Sequence, residues 1–427
     1  MRRVLISIVS IFVVGMIILT VLTIRRSARD GGDTIISDGT SRASTTSEFF
    51  PVSPNILQPS HQEAGTTGNT AVEDQTSVNE IYSESNTNLR RVAKNVAGYE
   101  IFGSTNNLDL VLRYIERETG HVYEHLPHSG ILTRLTNTTI PKIQSVYWGG
   151  KDTLITTRTN ENEESSVEEM RLYTTLGGTG QLRATPLPST IKTIARANDG
   201  KTFFFLETML GGGSKLRTQT TTATDSKVLL ESSLSEWKIV PTDKNIYLQT
   251  RASAFAEGYL FRVSAGSLEK ILGGIRGLTA RISPNEQYIM YAENSADQTQ
   301  TETVQDYASG IRTTIYDVKT KEVQVSPVQT LPEKCTWSRK NTDRIYCAAP
   351  KNLDLRAYPD SWYQGEISFN DTLWIVNIST GSAVEILDPT AIASEEIDMI
   401  DLRLSVDDTY IFFRNKKDGG LWQFKIQ

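Results

Sequence analysis

A short hairpin pattern recurs along this chain and constrains its fold more than any other feature. The segment from Arg281 to Glu293, RISPNEQYIMYAE, has the pattern of a strand, a tight turn and a second strand rich in apolar and aromatic residues. The segment from Leu404 to Arg414, LSVDDTYIFFR, places serine, asparagine or aspartate, tyrosine and isoleucine at the same offsets. A hairpin that returns with its turn in register indicates a repeat architecture.

Matching turns occur along most of the chain. They are centred on Gly150, Asp199, Asp243, Asn285, Asn341 and Asp407. Their spacing is roughly 40 to 70 residues, the length of a propeller blade with insertions. A second hairpin follows each turn, and in most copies its leading strand carries an aliphatic and then an aromatic residue: Leu172-Tyr173, Leu260-Phe261, Ile315-Tyr316, Leu373-Trp374 and Leu421-Trp422. Two hairpins give four strands per repeat, the content of one blade.

The number of repeats predicts an all-β, seven-bladed β-propeller, with six or eight blades as alternatives. The count of seven takes the segment from Val96 to Leu126 as a degenerate first blade. The last repeat has only three strands before the C-terminus. We therefore expect a strand near Leu89 to Ala93, or earlier, to supply the fourth strand and close the ring.

The two clearest hairpins resemble a known family. RISPNEQYIMYAEN and RLSVDDTYIFFRN resemble the SPDG-type hairpin of TolB-like and related WD40-like propellers, in which the next strand often begins as Leu373-Trp374 and Leu421-Trp422 do. The resemblance covers about Val96 to Gln427 and implies the propeller fold. The first and third units depart most from the pattern, and the GH…WD signature of the WD40 set does not occur.

The N-terminal region has a different composition. The run from Val4 to Ile24 is uncharged and about twenty residues long, enough to cross a bilayer as a helix. A signal peptide is the alternative, but its apolar region would be shorter and end in small residues. The following segment is rich in Ser, Thr, Gly, Asn and Asp, which predicts a flexible, disordered stalk. We expect a transmembrane anchor at residues 1–26, this linker at 27–88 and the propeller at 89–427.

Arginines flank the apolar run on both sides, so the distribution of charge does not determine which way this segment would cross the membrane. The two cysteines instead indicate the compartment in which the propeller lies. Cys335 and Cys347 lie symmetrically about a turn near Asn341, so they face each other across two strands. Side chains at such positions are about 4.5 to 5.5 Å apart at Cβ, close to disulfide range. A disulfide predicts a propeller outside the cytoplasm, at the cell membrane. Two reduced, buried cysteines would be typical of a cytosolic protein.

Charge and histidine content narrow the function classes. The chain of 427 residues has a net charge of -6 and no basic cluster beyond its N-terminus, which argues against nucleic acid as a partner. Three of its four histidines are His121, His125 and His128. On a strand, i and i+4 positions are roughly 13 Å apart, too far to share a metal ion. Aligned with the other repeats, His125 occupies an apolar strand position and His121 a turn. We predict no metal, no cofactor and no catalytic residue here.

Acidic clusters offer an alternative chemistry. They comprise Glu161, Glu163, Glu164, Glu168 and Glu169 in one predicted loop, and Glu395, Glu396, Asp398 and Asp401 in another. A pair of carboxylates could serve a hydrolase or lyase acting on glycans or peptides. Acidic residues in loops are ordinarily solvated, so we favour a non-enzymatic protein.

Long insertions indicate where binding occurs. They fall between the second and third strands of three blades, at residues 160–166, 294–310 and 350–371, on the same face as the connection at 388–398. The candidate partner-binding residues are Tyr358, Asp360, Trp362 and Tyr363 in one loop and Tyr307 in another. Trp and Tyr bury much area at low entropic cost, although Trp362 and Tyr363 could instead fold back onto their own blade. The sequence thus favours a non-catalytic module that binds a protein or cell-envelope polymer.

Overall fold

The computed structural model describes residues 88–103, 110–162, 165–176, 180–221, 226–295 and 310–426. The predicted anchor from Val4 to Ile24, nearly all of the predicted linker, and Tyr307 lie outside these described residues. Within the described part of the chain, no helix is long and apolar enough to cross a membrane.

Seven four-stranded antiparallel sheets make up the structure, which confirms the seven-bladed all-β propeller. In chain order, the strands of the first three blades are β2 (Val96–Phe102), β3 (Val111–Glu116), β4 (Val122–His125), β5 (Leu132–Arg134), β6 (Ile143–Trp148), β7 (Thr153–Asn162), β8 (Ser165–Leu176), β9 (Gln181–Pro186), β10 (Ile191–Arg196), β11 (Thr202–Thr208), β12 (Ser214–Thr220) and β13 (Lys227–Ser232). The strands of the fourth to sixth blades are β14 (Trp237–Pro241), β15 (Ile246–Thr250), β16 (Glu257–Ser264), β17 (Ser267–Arg276), β18 (Thr279–Ile282), β19 (Tyr288–Asn294), β20 (Ile311–Asp317), β21 (Val323–Val325), β22 (Cys335–Trp337), β23 (Arg344–Pro350), β24 (Asp371–Asn377) and β25 (Ser382–Leu387).

The seventh blade joins the two ends of the described chain. It consists of β26 (Met399–Leu404), β27 (Tyr410–Asn415), β28 (Leu421–Lys425) and β1 (Leu89–Ala93). β1 pairs antiparallel with β28, with Leu89 opposite Phe424 and Arg91 opposite Trp422. The predicted closure by Leu89 to Ala93 is therefore confirmed, and it removes the free edge that β28 would otherwise present.

The repeated hairpins fold alike because their side chains make the same hydrogen bonds. In the fifth blade, Ser283 donates to Asn285 Oδ1 at 2.7 Å and accepts from the Tyr288 amide at 2.9 Å. In the seventh blade, Ser405 makes the corresponding bonds at the same distances to Asp407 and Tyr410. A serine followed two residues later by Asn or Asp thus satisfies the turn locally.

Apolar side chains fill every junction between blades. Seven clusters of buried residues each combine residues of two neighbouring sheets, and an eighth lies beneath the longest described insertion. At the junction of the sixth and seventh blades, for example, Leu373 packs with Met399, Ile411 and Phe413. Alternating strand residues bury one face against each neighbour, as the period-2 pattern requires.

The innermost hairpin of the sixth blade carries the predicted disulfide. Cys335 and Cys347 are directly opposite each other in the register of β22 and β23, and their sulfurs are bonded. Both residues are completely buried. The pairing predicted from their symmetrical positions about the turn is confirmed.

The two faces of the ring differ in the length of their connections. The connections between second and third strands share one face with those between blades, and we call it the loop face. The opposite face, with the tight turns of the repeated hairpins, is the turn face. Two short helices lie on the loop face: α1 (Asp360–Tyr363) and α2 (Pro389–Ala393). α1 belongs to the connection at residues 351–370, which we call the blade-6 loop.

Candidate functional site

The blade-6 loop lies against three other blades at the loop face. Asp360 Oδ2 accepts a 2.6 Å hydrogen bond from the amide of Ala254, in the fourth blade. A Cβ atom at Gly310, beside the fifth blade, would lie 2.9 Å from the ring of Tyr358. From the seventh blade, Lys416 donates a 2.6 Å hydrogen bond to the carbonyl of Trp362. The loop is thus part of the folded body of the propeller.

The aromatic residues of this loop divide into two sets. Tyr358 and Trp362 are buried in a cluster with Phe369, Leu331 and Ile311. Tyr363 retains 45% of its surface exposed. For Trp362, the structure has the alternative arrangement in which the side chain folds back onto the protein. Of the four candidate binding residues that the structure describes in this loop, Tyr363 is therefore the most accessible to a partner.

Trp362 covers a fully buried group of charges, which we call the Lys334 cluster: Lys334, Asp371 and Asp398. Lys334 Nζ lies 2.8 Å from Asp371 Oδ2 and 2.5 Å from Asp398 Oδ1. It also donates to the carbonyl of Met399 at 2.9 Å and lies 5.1 Å from the centroid of the Trp362 ring. The cation is therefore satisfied on all sides without water.

Asp398 receives three further hydrogen bonds, whereas Asp371 receives one, from the Met399 amide to Oδ2 at 2.6 Å. Asp398 Oδ2 accepts from Trp362 Nε1 at 2.9 Å, and from the Ser368 hydroxyl and the Phe369 amide at 3.0 Å. Burial opposes ionisation of Asp398, but Lys334 and these hydrogen bonds hold its pKa below the usual range. Asp371 Oδ1 has no hydrogen-bond partner within the described chain. Burial raises the pKa of Asp371 to about 6 despite Lys334.

A cavity of about 680 Å³ lies beside α1 on the loop face. Its walls include Lys238, Trp237, Glu236, Glu333 and Tyr363. The Tyr363 hydroxyl donates a hydrogen bond to Glu333, which also pairs with Lys238 Nζ at 3.1 Å. The cavity therefore combines an aromatic wall with carboxylate and ammonium groups, as small-molecule and peptide sites commonly do.

The Glu333 carboxylate stays charged in this cavity. Burial disfavours its ionised form, but Lys238 and the Tyr363 hydroxyl outweigh this and hold the pKa of Glu333 below its usual range. Burial and the neighbouring Glu333 charge raise the pKa of Tyr363. At neutral pH the site thus presents a carboxylate, a neutral phenol and an ammonium side by side.

The two exposed aromatic side chains of the described chain lie near this cavity. They are Tyr363 and Phe255, and Phe255 is 79% exposed. Phe255 follows Arg251 and Ala252, which line the cavity, in the connection between β15 and β16. The loop face also exposes the apolar side chains of Leu210, Leu234, Leu355 and Ile392.

The histidines occupy the positions expected from the repeats. His125 is the last residue of β4 and is buried, with its ring 3.1 Å from Gln423 Oε1. Burial lowers the pKa of His125 to about 4, so the ring is neutral at pH 7. His121 lies in the turn before β4. In the residues that the structure describes, no three His, Cys, Asp or Glu side chains are grouped so as to hold a metal ion.

The acidic clusters do not converge into an accessible pair where their residues are described. Glu169 pairs with Arg158 and Arg171, while the side chains of Glu161, Glu163, Glu164 and Glu168 lie outside the described part. Glu396 is exposed and pairs with Lys417 at 3.0 Å. Asp398 differs from the solvated loop acid that we expected, because Lys334 and Trp362 hold it in the interior.

Sequence reasoning missed the residues that shape the cavity. Glu333 precedes the disulfide strand and Lys238 follows Trp237 on β14, and neither position is marked by a motif. Their pairing joins residues 95 positions apart. A charged residue at the loop-face end of an innermost strand is the signal that would have found Lys238.

The fold has counterparts among solved structures, whereas sequence comparison finds no matching family model and no matching curated protein. An oligogalacturonate lyase solved in complex with manganese is 11% identical, with a TM-score of 0.52, over 79% of this chain and 93% of that chain. The tricorn protease is 10% identical, with a TM-score of 0.47, over 78% of this chain and 34% of that one. TolB from Acinetobacter baumannii is 9% identical, with a TM-score of 0.39, over 79% of this chain and 78% of that one.

These likenesses concern the fold alone, because every identity is far below one quarter. The alignment includes 93% of the lyase, so the similarity extends over nearly the whole length of that chain. The similarity to the lyase concerns the fold, and a fold alone does not determine a function.

Proposed function

We propose that this protein is a membrane-anchored, extracytoplasmic propeller of the TolB-like or WD40-like kind. In this proposal it binds a protein or a cell-envelope polymer through its loop face and catalyses no reaction. The observation that carries the proposal is the location of Phe255 and Tyr363, the two exposed aromatics of the described chain, on that face beside the cavity. Exposed aromatic side chains on a rigid scaffold are the residues most enriched in binding interfaces.

Two further features support the location outside the cytoplasm. The uncharged run from Val4 to Ile24 has the length of a membrane span. The disulfide between Cys335 and Cys347 is of the kind that persists in oxidising compartments. Together they favour a propeller tethered to the outer side of a membrane.

A photo-crosslinking experiment in the cells that naturally make the protein tests the binding face. A benzophenone amino acid replaces Phe255 on the loop face or, as the matched control, the exposed Val406 on the turn face. We expect a discrete crosslinked product from the Phe255 position alone. Adding Tyr363→Ala should reduce its yield several-fold. Equal products from both positions, or a yield that Tyr363→Ala leaves unchanged, would contradict the proposal.

A hydrolase or lyase acting on glycans or peptides is the second candidate function. Glu236 and Glu333 both line the loop-face cavity, and Glu333 is hydrogen-bonded to the Tyr363 hydroxyl. A carboxylate in a cleft is the minimal equipment for acid-base catalysis. Incubating the full chain with acidic and neutral oligosaccharides and with a peptide library tests this function. Turnover that Glu333→Gln abolishes, while the protein remains folded, would favour it over the non-catalytic proposal.

A further inference from the structure

A second group of charges lies where the innermost strands surround the propeller axis. We call it the channel cluster: Glu100 on β2, Arg196 on β10, Arg281 on β18 and Arg403 on β26. These are the first strands of the first, third, fifth and seventh blades. Because the first strand of each blade lines the central channel, four separate blades contribute to one site.

Glu100 links two of these arginines. Its Oε2 atom lies 2.5 Å from Arg196 Nη2 and 2.7 Å from Arg403 Nη1. The Arg403 guanidinium also lies 5.4 Å from the centroid of the Tyr99 ring. One carboxylate thus serves two guanidinium groups, and its capacity to accept hydrogen bonds is largely used.

The next carboxylate along the channel is occupied as well. Asp401 pairs with Arg414, which also donates to the carbonyl of Val96 at 2.9 Å. Arg281 has no hydrogen bond or ion pair within the described part of the chain. Burial and the nearby Arg403 charge lower the pKa of Arg281. Arg281 therefore holds a full complement of unused donors next to another cation.

Solvent reaches the channel beside Arg403 and Asp401. The side chain of Arg403 is 39% exposed and that of Asp401 is 48% exposed, although protein surrounds both. A small solute can thus approach the arginines through the channel. Besides Arg403, the charges within electrostatic range of Arg281 include the carboxylates of Glu333 and Asp401, and each is already paired, with Lys238 and Arg414 respectively. The excess of positive charge is local, and low-dielectric walls strengthen its effect.

We propose that the central channel binds a small oxyanion group, a carboxylate or a phosphate, between Arg281 and Arg403. A guanidinium presents its N–H groups as a planar fork that fits two oxygens of such a group. Bound there, the anion would supply the acceptors that Arg281 lacks and screen it from Arg403. Glu333, which lines the loop-face cavity, lies within electrostatic range of Arg281. The anion site is nevertheless argued from the channel arginines and does not depend on Phe255 or Tyr363 binding a partner, so either proposal can fail without the other.

Thermal unfolding of the full chain in detergent tests the site with two probes, inorganic phosphate and citrate, against sodium chloride at matched ionic strength. We expect a saturable rise in Tm of about 2 to 4 °C with at least one probe. Arg281→Gln should lose this rise. Arg262→Gln, which removes a partly exposed arginine paired with Glu269, should keep it. Without either probe, Arg281→Gln should have a higher Tm than the unchanged protein, because it removes a repulsive charge.

The two probes distinguish the source of the oxyanion. A rise with citrate alone indicates a carboxylate ligand, and a rise with phosphate alone indicates a phosphate ligand. Arg281→Lys keeps the positive charge but lacks the planar, forked guanidinium, so it should retain less than half of the rise in Tm. This second variant tests the site even if Arg281→Gln does not fold. The proposal fails if neither probe raises Tm above the chloride control, or if Arg281→Gln responds as the unchanged protein does.

Discussion

The Lys334 cluster and the channel cluster contain similar charged groups but differ in how completely those groups are satisfied. In the Lys334 cluster, one ammonium contacts two carboxylates and a carbonyl, and no atom of Lys334 reaches solvent. In the channel cluster, two guanidinium groups share the Glu100 carboxylate, Arg281 pairs with no carboxylate of the described chain, and solvent reaches Arg403. The dry cluster, whose ammonium is fully paired, holds the blade-6 loop and the seventh blade together. An unsaturated, wet one leaves donors free for a ligand.

The largest expected effect is on the dry cluster. Lys334→Ala should lower the free energy of unfolding by about 3 to 5 kcal/mol, because it leaves two buried carboxylates without a counter-charge. Urea unfolding monitored by Trp fluorescence measures the change. Lys417→Ala serves as the control, since its partner Glu396 is 64% exposed and such pairs contribute about 0 to 1 kcal/mol. Comparable losses in the two variants would remove the distinction between the clusters.

The dry cluster should also respond to pH. Asp371 has a pKa of about 6 in the folded protein, against about 3.9 in an unfolded chain. Between these values the folded state holds a proton that the unfolded state has released, so this group's contribution to stability falls as pH rises. Asp371→Asn lacks this titration.

The stability of the unchanged protein relative to Asp371→Asn should therefore decrease by about 2 kcal/mol between pH 4 and pH 7. Urea unfolding of both proteins across that range gives the difference. The pKa of Asp398 in the same cluster is lowered, so the contribution of Asp398 to stability increases as pH rises. A difference that stays flat or increases with pH would show that Asp371 is ionised throughout.

A smaller effect is expected when the shared carboxylate of the wet cluster is removed. Glu100→Gln should lower the free energy of unfolding by about 2 kcal/mol, between the values for exposed and buried ion pairs. The added repulsion among the arginines acts through solvent, so most of the loss should disappear at about 1 M salt. Urea unfolding at low and high salt measures it. A loss of stability that does not depend on salt would show that the channel cluster is shielded from solvent, as the Lys334 cluster is.

The smallest expected effect has the opposite sign. Arg281→Gln should raise the free energy of unfolding by about 1 kcal/mol at low ionic strength, because it removes an unpaired cation near Arg403. The gain should shrink as salt is added. Denaturant unfolding of this variant and of Arg262→Gln provides the comparison. If Arg281→Gln destabilises the protein, Arg281 has a stabilising role that its described contacts do not reveal.

Local patterns made the scaffold predictable. The Ser-x-Asn/Asp turns at Ser283 and Ser405 satisfy their own hydrogen bonds, so each hairpin can be recognised from a dozen residues. The aliphatic-aromatic pairs fall on the third strands, as at Leu373-Trp374 on β24. The disulfide followed from symmetry about a turn, and closure by β1 followed from the missing strand of the last blade.

The site was less predictable, because its contacts join distant parts of the chain. Lys334 and Asp398 are 64 residues apart, and Glu100 and Arg403 are 303 residues apart. Nothing in the neighbouring sequence distinguishes Asp398 from the solvated Glu396. Trp362 had two interpretations from sequence, since tryptophan serves both interfaces and interiors. Only the positions of blades around a ring decide which residues meet.

The pairing of β1 with β28 also has a mechanical consequence. The chain enters the ring at Asn88, whose carbonyl accepts from the Lys425 amide at 2.9 Å, and then runs as the outer strand of the last blade. A pulling force on the chain ahead of Leu89 would therefore load the bonds that keep the first and seventh blades together. Their rupture would open the ring and expose β28, so a force applied to the chain ahead of Leu89 acts directly on the closure of the propeller.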